Sequence, residues 1–183
     1  MLDLTTNHLA AVPRASLAAL RAALLRDAGP SAAAYLQEAG YAGGEAVFTS
    51  FRNWLESRQG GAPEDLDLEA FEQRATEFFR EAGWGSLEIG SLRAAVATLD
   101  SDDWAEADPA AGLDHPGCHL TTGMFADFFG RVAAEPLAVL EVECRSQGDT
   151  RCRFLVGSAD VMGRVYDELG RGVTYEEAVN EVG

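Results

Sequence analysis

The sequence has no lysine; all fourteen of its basic residues are arginine. That absence excludes Schiff-base chemistry on an amine side chain, and the phosphate-gripping lysine of a P-loop or kinase. Positive charge is in the minority as well, with 30 acidic side chains against 14 basic ones and a net charge of −16. Phosphate backbones and anionic membrane surfaces are bound through clustered cations, so neither nucleic acid nor a membrane is an expected partner. No stretch approaches the ~18 apolar residues that cross a bilayer. Residues 1–7 lack the basic flank and apolar run of a signal peptide, which makes a cytoplasmic protein the expectation. Gly-x-Ser-x-Gly and Gly-x-Gly-x-x-Gly runs are missing too. With so few catalytic signals, a binding or regulatory domain is expected before an enzyme.

What is present suits an ordered protein. Hydrophobic residues make up 47% of the 183 and proline is scarce, a composition that buries a core without disulfides. The acidic excess gathers at residues 64–81, 100–108 and 175–181 and reads as solvated helix faces and loops, or as a docking surface for a basic partner. The length suits one domain, divided as a helical packing or dimerisation region over 1–63 and a ligand-binding region over 64–183.

Periodicity places the elements. Residues 16–26 carry Leu17, Leu20, Leu24 and Leu25 on one helical stripe with arginines opposite. Pro30 opens a second helix through Leu36, Phe48, Phe51 and Leu55, where Gly40, Gly43 and Gly44 mark either close helix packing or a break. A third helix is predicted over 66–82, stopped by Gly83. The period then shortens, predicting strands at 87–89 and 92–99 with a turn at Gly90-Ser91. A loop over 100–115 leads to a helix over 118–132. Strands at 137–144 and 151–156 form a hairpin around a Gly-containing turn. Two short helices close the chain, the last opened by a Thr174/Glu177 capping box. The sum is an α+β arrangement: N-terminal helices packed on a mostly antiparallel sheet.

The three cysteines, Cys118, Cys144 and Cys152, lie at the start of one helix and on either side of the hairpin turn. An odd number is no disulfide framework. Three thiolates call for one more ligand to complete a zinc tetrahedron, with His115, His119, Glu141 and Glu143 as candidates. The alternatives are three cysteines buried as small hydrophobes, or a Cys144/Cys152 redox pair. In a regular strand Glu141 and Cys144 point to opposite faces, so both reach one ion only if a bulge or the strand end turns one of them.

The pattern Cys118, Glu141-x-x-Cys144, Gly148-Asp149 and Cys152-x-Phe154, preceded by Gly83-Trp84-Gly85, resembles the 4-vinyl reductase domain of phenol- and xylene-sensing activators and of bacteriochlorophyll-pathway proteins. The resemblance implies a structural zinc held by Cys118, Glu141, Cys144 and Cys152. It also implies a fold similar to transport-particle subunits and nitric-oxide sensors, and a homodimer formed through the N-terminal helices. It further implies a small-molecule pocket, for which Phe78, Phe79, Trp84, Trp104, Phe125, Phe128 and Phe129 are the candidate walls. In the related sensors a Trp and a His hold the phenol hydroxyl. Trp84 and Trp104 are the Trp candidates, but no His falls in the third helix or early strands, so a hydrophobic or larger aromatic ligand is expected. The ATPase and DNA-binding segments of the activators are not found, so output would pass through a protein partner or through dimerisation. Two other roles fit the resemblance: an accessory tetrapyrrole-binding protein of (bacterio)chlorophyll metabolism, and a scaffold without a free ligand.

Overall fold

The computed structural model describes Leu4, Thr6 and residues 8–182; the reading of residues 1–7 lies largely outside these. Six helices and four strands follow in the order α1 (Arg14–Ala28), α2 (Ser31–Ser57), a short 3-10 turn (Pro63–Asp65), α3 (Leu68–Glu81), β1 (Glu88–Arg93), β2 (Val96–Ser101), α4 (His119–Ala133), β3 (Leu137–Glu143), β4 (Cys152–Ser158), α5 (Ala159–Gly170) and α6 (Tyr175–Val182). The strands form one antiparallel sheet in the order β1-β2-β4-β3. The α+β expectation holds.

The sheet separates two cores. Leu99, Val139, Phe154 and Val156 face α2, α3 and α4, while Val96 and Leu155 face α5 and α6. Alternation along β4 explains the split, since Phe154 and Leu155 must point to opposite faces. The larger core is a web of aromatic rings. Phe79 at its centre meets Phe78 at 5.2 Å, Phe128 at 5.3 Å, and Trp104 and Phe125 at 5.7 Å, all with steeply inclined planes. Such edge-to-face pairs add about 0.5–1.5 kcal/mol each beyond burial.

Close packing, rather than a break, accounts for the glycines of α2, which runs uninterrupted from Ser31 to Ser57. A Cβ on Gly40 would lie 1.9 Å from the Leu120 carbonyl oxygen, and one on Gly123 of α4 would lie 2.0 Å from that of Gln37. The two helices therefore touch backbone to backbone, and α4 is held at a fixed depth above the sheet.

Three expectations need correction. The first strand connection is at Ala94-Ala95, not Gly90-Ser91. Gly90 pairs with Thr98 inside the sheet, where a Cβ would meet the Thr98 hydroxyl at 2.8 Å, so this glycine serves a close approach rather than a turn. On α1, Arg21 points inward and is 3% exposed, whereas Leu20 is 56% exposed. The Arg21 guanidinium donates to the Glu106 carbonyl oxygen at 2.5 Å, and satisfying that buried acceptor overrides the leucine stripe. The acidic 100–108 stretch is solvated only in part: Asp102 and Asp103 are exposed, but Glu106 is 3% exposed and Asp100 is bonded to Arg153.

Candidate metal centre

Three elements bring the cysteines together. Cys118 occupies the N-terminal cap position of α4, Cys144 directly follows β3 and Cys152 begins β4. The register of β3 against β4 shifts between Glu141 and Glu143. Before the shift Glu141 faces α4, as its partner Phe154 does; after it, Glu143 pairs with Arg153 on the opposite face. That bulge carries Cys144 round to the side of Glu141 and Cys152, resolving the conflict between period two and a shared ion. Glu143 is thereby excluded as a ligand and bonds instead to Arg151 and Tyr175.

The hairpin turn is closed by its own backbone. Gly148 adopts φ +109°, and the Asp149 carboxylate accepts from the Cys144 N–H at 2.8 Å. The loop before α4 is pinned to the same turn, with Leu113 N–H donating to the Ser146 carbonyl oxygen. Inside α4, the Glu106 carboxylate caps the helix by accepting from Leu120 N–H, Thr121 N–H and the Thr121 hydroxyl.

The result is a cluster in which the Cys118, Cys144 and Cys152 sulfurs and a Glu141 carboxylate oxygen all lie within 4.8 Å of one another. Cys118 Sγ stands 3.9 Å from each of the other two sulfurs. Tetrahedral zinc with Zn–S bonds of ~2.3 Å would separate two sulfurs by roughly 3.8 Å. All three cysteines are fully buried and unpaired as disulfides. Glu141 Oε2 accepts from the Cys118 N–H at 2.7 Å, while Oε1 is buried with no hydrogen-bond partner. A buried orphan oxygen is costly unless a cation meets it. The donor set and its spacing fit a divalent metal, zinc in particular.

Electrostatics give the same reading. Hydrogen bonds to the Cys144 and Cys152 sulfurs, then burial, raise the Cys118 thiol well above its ordinary value. The Cys144 thiol is lowered by the hydrogen bonds it receives from Cys118 and Cys152. Burial and then the Cys144 charge push Glu141 up to about 9. Backbone N–H groups of Gly117 and Arg145 lie against the sulfurs of Cys144 and Cys152. Without a cation the cluster holds protons it would release on binding one. The two histidines lie beside the cluster rather than in it; burial lowers the pKa of His119.

The seven aromatics proposed as pocket walls are placed differently from one another. Phe79, Trp104, Phe125 and Phe128 are fully buried and interlock as core. The indole N–H of Trp104 is spent on the Thr121 hydroxyl at 2.7 Å. Phe129 lines an apolar groove of about 340 Å³ between α3, α4 and the sheet. Phe78 and Trp84 line a partly open apolar cavity of about 740 Å³, bordered on its other side by Leu9, Val12, Leu17 and Leu20. Trp84 stacks on Trp104 at 5.6 Å, and Arg14 donates to the Gly83 carbonyl oxygen at one end of the cavity. The contribution of residues 9–20 was not foreseen, because an apolar stripe reads the same whether it covers a core or a cavity. Glu106 was missed because it sits within an acid-rich loop.

Residues 101–158, from the end of β2 through β4, match the 4-vinyl reductase domain family. All four donors fall inside that stretch, and the resemblance drawn from their spacing holds. A relative in Methanocaldococcus jannaschii, itself uncharacterised, is 26% identical over 80 residues; the match covers 44% of this chain and 42% of that protein, less than half of either. Among solved structures, the phenol-responsive sensory domain of the transcription activator PoxR, determined with phenol, superposes with TM-score 0.61 at 15% identity, over 83% of this chain and 77% of that one. A vinyl-4-reductase family protein from M. jannaschii gives 0.55 at 18%, over 82% and 84%. A trafficking protein particle complex subunit 3 from Naegleria fowleri, covalently bound to palmitic acid, gives 0.57 at 10%, over 79% and 91%. These structures share the fold.

Proposed function

We propose that this chain, with its match to the 4-vinyl reductase domain, is a small-molecule-binding module, sensory or carrier, for a hydrophobic or aromatic ligand, stapled by a structural zinc. The observation that carries the ligand reading is the apolar 740 Å³ cavity between residues 9–20 and the Phe78/Trp84 wall. Its volume lies within the ~300–1,000 Å³ of small-molecule sites, and it has few polar groups beyond Arg14, Ser16 and Glu81. A neighbouring fold that binds phenol supports an aromatic guest. The zinc would be held by Cys118, Glu141, Cys144 and Cys152, a closed set that leaves no position for water and assigns the ion to structure rather than catalysis.

Output requires a change that another molecule can read. Residues 9–20 are covered from one side only, so a ligand that seats beneath them would reposition α1. We place that event in the cytoplasm and pass it on through a homodimer of N-terminal helices or through a protein partner. Among the described residues no helix is long and apolar enough to cross a membrane.

Titration with phenols, larger aromatics and fatty acids tests the reading through tryptophan emission and melting temperature. Trp84 on the cavity wall makes a bound aromatic visible, and a ligand at a hundredfold its Kd raises stability by about 2.7 kcal/mol. No response from any class up to its solubility would refute it. A second reading has its own support. The 340 Å³ groove lined by Phe71, Leu99 and Phe129 is apolar enough to take a fixed acyl chain, and a neighbouring fold carries palmitic acid. Mass spectrometry of gently extracted protein distinguishes a retained chain from a free cavity.

A further inference from the structure

The cluster sulfurs have no exposed surface, so an ion must reach them either while the chain folds or by a route through the folded protein. Three of the four donors are sealed by the hairpin and α4. The fourth, Glu141, lines a separate cavity of about 800 Å³ between the α1–α2 junction, β3 and α5, and the same cavity is lined by His115 and His119.

The two imidazoles lie side by side on the cavity wall. Their ring centroids lie 6.2 Å apart at 34°. A tetrahedral ion bound to one nitrogen of each ring at ~2.0–2.1 Å puts the centroids roughly 5 Å apart, so the half-exposed His115 ring must move in by about 1 Å to share one with His119. His115 Nδ1 lies 3.0 Å from the Pro116 carbonyl oxygen. That contact fixes the proton there and leaves Nε2 with its lone pair, the orientation that backbone carbonyls impose on metal-binding histidines. His115 Nε2 in turn faces the Asp114 carboxylate at 3.6 Å, and that carboxylate is 96% exposed to solvent. A chain of net charge −16 concentrates cations at its surface before any of these groups is met.

We propose that His115 and His119 form a weak loading site for a divalent cation, from which the ion crosses the cavity to Glu141 and the three thiolates. Two imidazoles hold an ion loosely, whereas three thiolates and a carboxylate hold it tightly, so transfer runs inward. Glu141 is the hinge of the exchange, since of the four donors it alone faces both the cavity and the cluster. The thiol protons displaced on binding leave to solvent. This inference rests on the zinc reading above.

The test is cobalt loading of chelator-stripped protein, with far-ultraviolet circular dichroism confirming that the stripped chain is folded. Thiolate-to-cobalt charge-transfer absorbance is followed by stopped flow in the native protein, in His115→Ala, and in His115→Ala/His119→Gln. The double variant reaches the same final absorbance and the same single-ion stoichiometry, at a rate about tenfold lower. Equal rates with normal absorbance overturn the loading site and leave the cluster intact. Absence of the charge-transfer band from the native protein overturns the cluster and the loading site together. If stripping unfolds the chain, exchange of bound zinc for an enriched isotope, followed by native mass spectrometry, replaces the cobalt measurement. Slower exchange in the double variant then supports the route and equal half-times refute it.

Discussion

At the scale of single residues, the two tryptophans that read alike in the sequence have different consequences. Trp104 is fully buried, packed on Phe79 and Phe125 and bonded to Thr121, so Trp104→Ala should cost about 3–5 kcal/mol in urea unfolding whatever ligand is present. Trp84 is half-buried on the cavity wall, and Trp84→Ala should weaken ligand binding more than it weakens the fold. Equal stability losses in the two variants would contradict that assignment. Glu106 gives a pH signature. Burial raises its folded pKa above the ordinary value, against the hydrogen bonds from Thr121 and Leu120. The neutral form is therefore the one folding favours. Its contribution is complete below about pH 4 and is lost as pH rises through the raised value. Glu106→Gln should remove that part of the decline, so native and variant stabilities should diverge with rising pH; parallel curves would show that Glu106 does not titrate in the fold.

At the scale of elements, most of the fold was legible because periodicity reports which face is buried. The hairpin, the helix after Cys118 and the Thr174 capping box all appear where their patterns place them, the last with Thr174 and Glu177 bonded reciprocally. The chain's crossing points were legible only in part. Gly90 reads as a turn and is a strand residue; Gly40 reads as close helix packing or a break and proves to be a backbone contact with α4, whose own contact residue, Gly123, no pattern singled out. Adding a methyl at Gly40 raises helix propensity by about 1 kcal/mol yet forces the Leu120 carbonyl away. Gly40→Ala should therefore show a net loss of about 1–3 kcal/mol by thermal or urea unfolding, and a gain would mean that the helices can part freely. The bulge in β3 lies between these cases. Its need was evident from the opposed parity of Glu141 and Cys144, but no residue type between Glu141 and Glu143 announces it.

At the scale of the whole molecule, three elements from two layers are tied at one corner. The first turn of α4, the end of β3 and the start of β4 meet at the cysteine cluster, so an ion bound there would fix the helical layer to the sheet. That Cys118, Glu141, Cys144 and Cys152 cluster could be read in advance because chemistry and spacing carry over from a family pattern. The cavity could not, since whether aromatics interlock or leave a space depends on packing that no linear pattern encodes. The central claim is the ion. Cys144→Ser should lose metal and stability together, by several kcal/mol of the ~10 or more that structural zinc can contribute. The most direct measurement is zinc K-edge X-ray absorption on the purified protein. One zinc per chain with three sulfurs at ~2.3 Å and one oxygen at ~2.0–2.2 Å, free of imidazole scattering, is the predicted result; a metal-free chain, or a first shell containing histidine in place of the carboxylate, would contradict it.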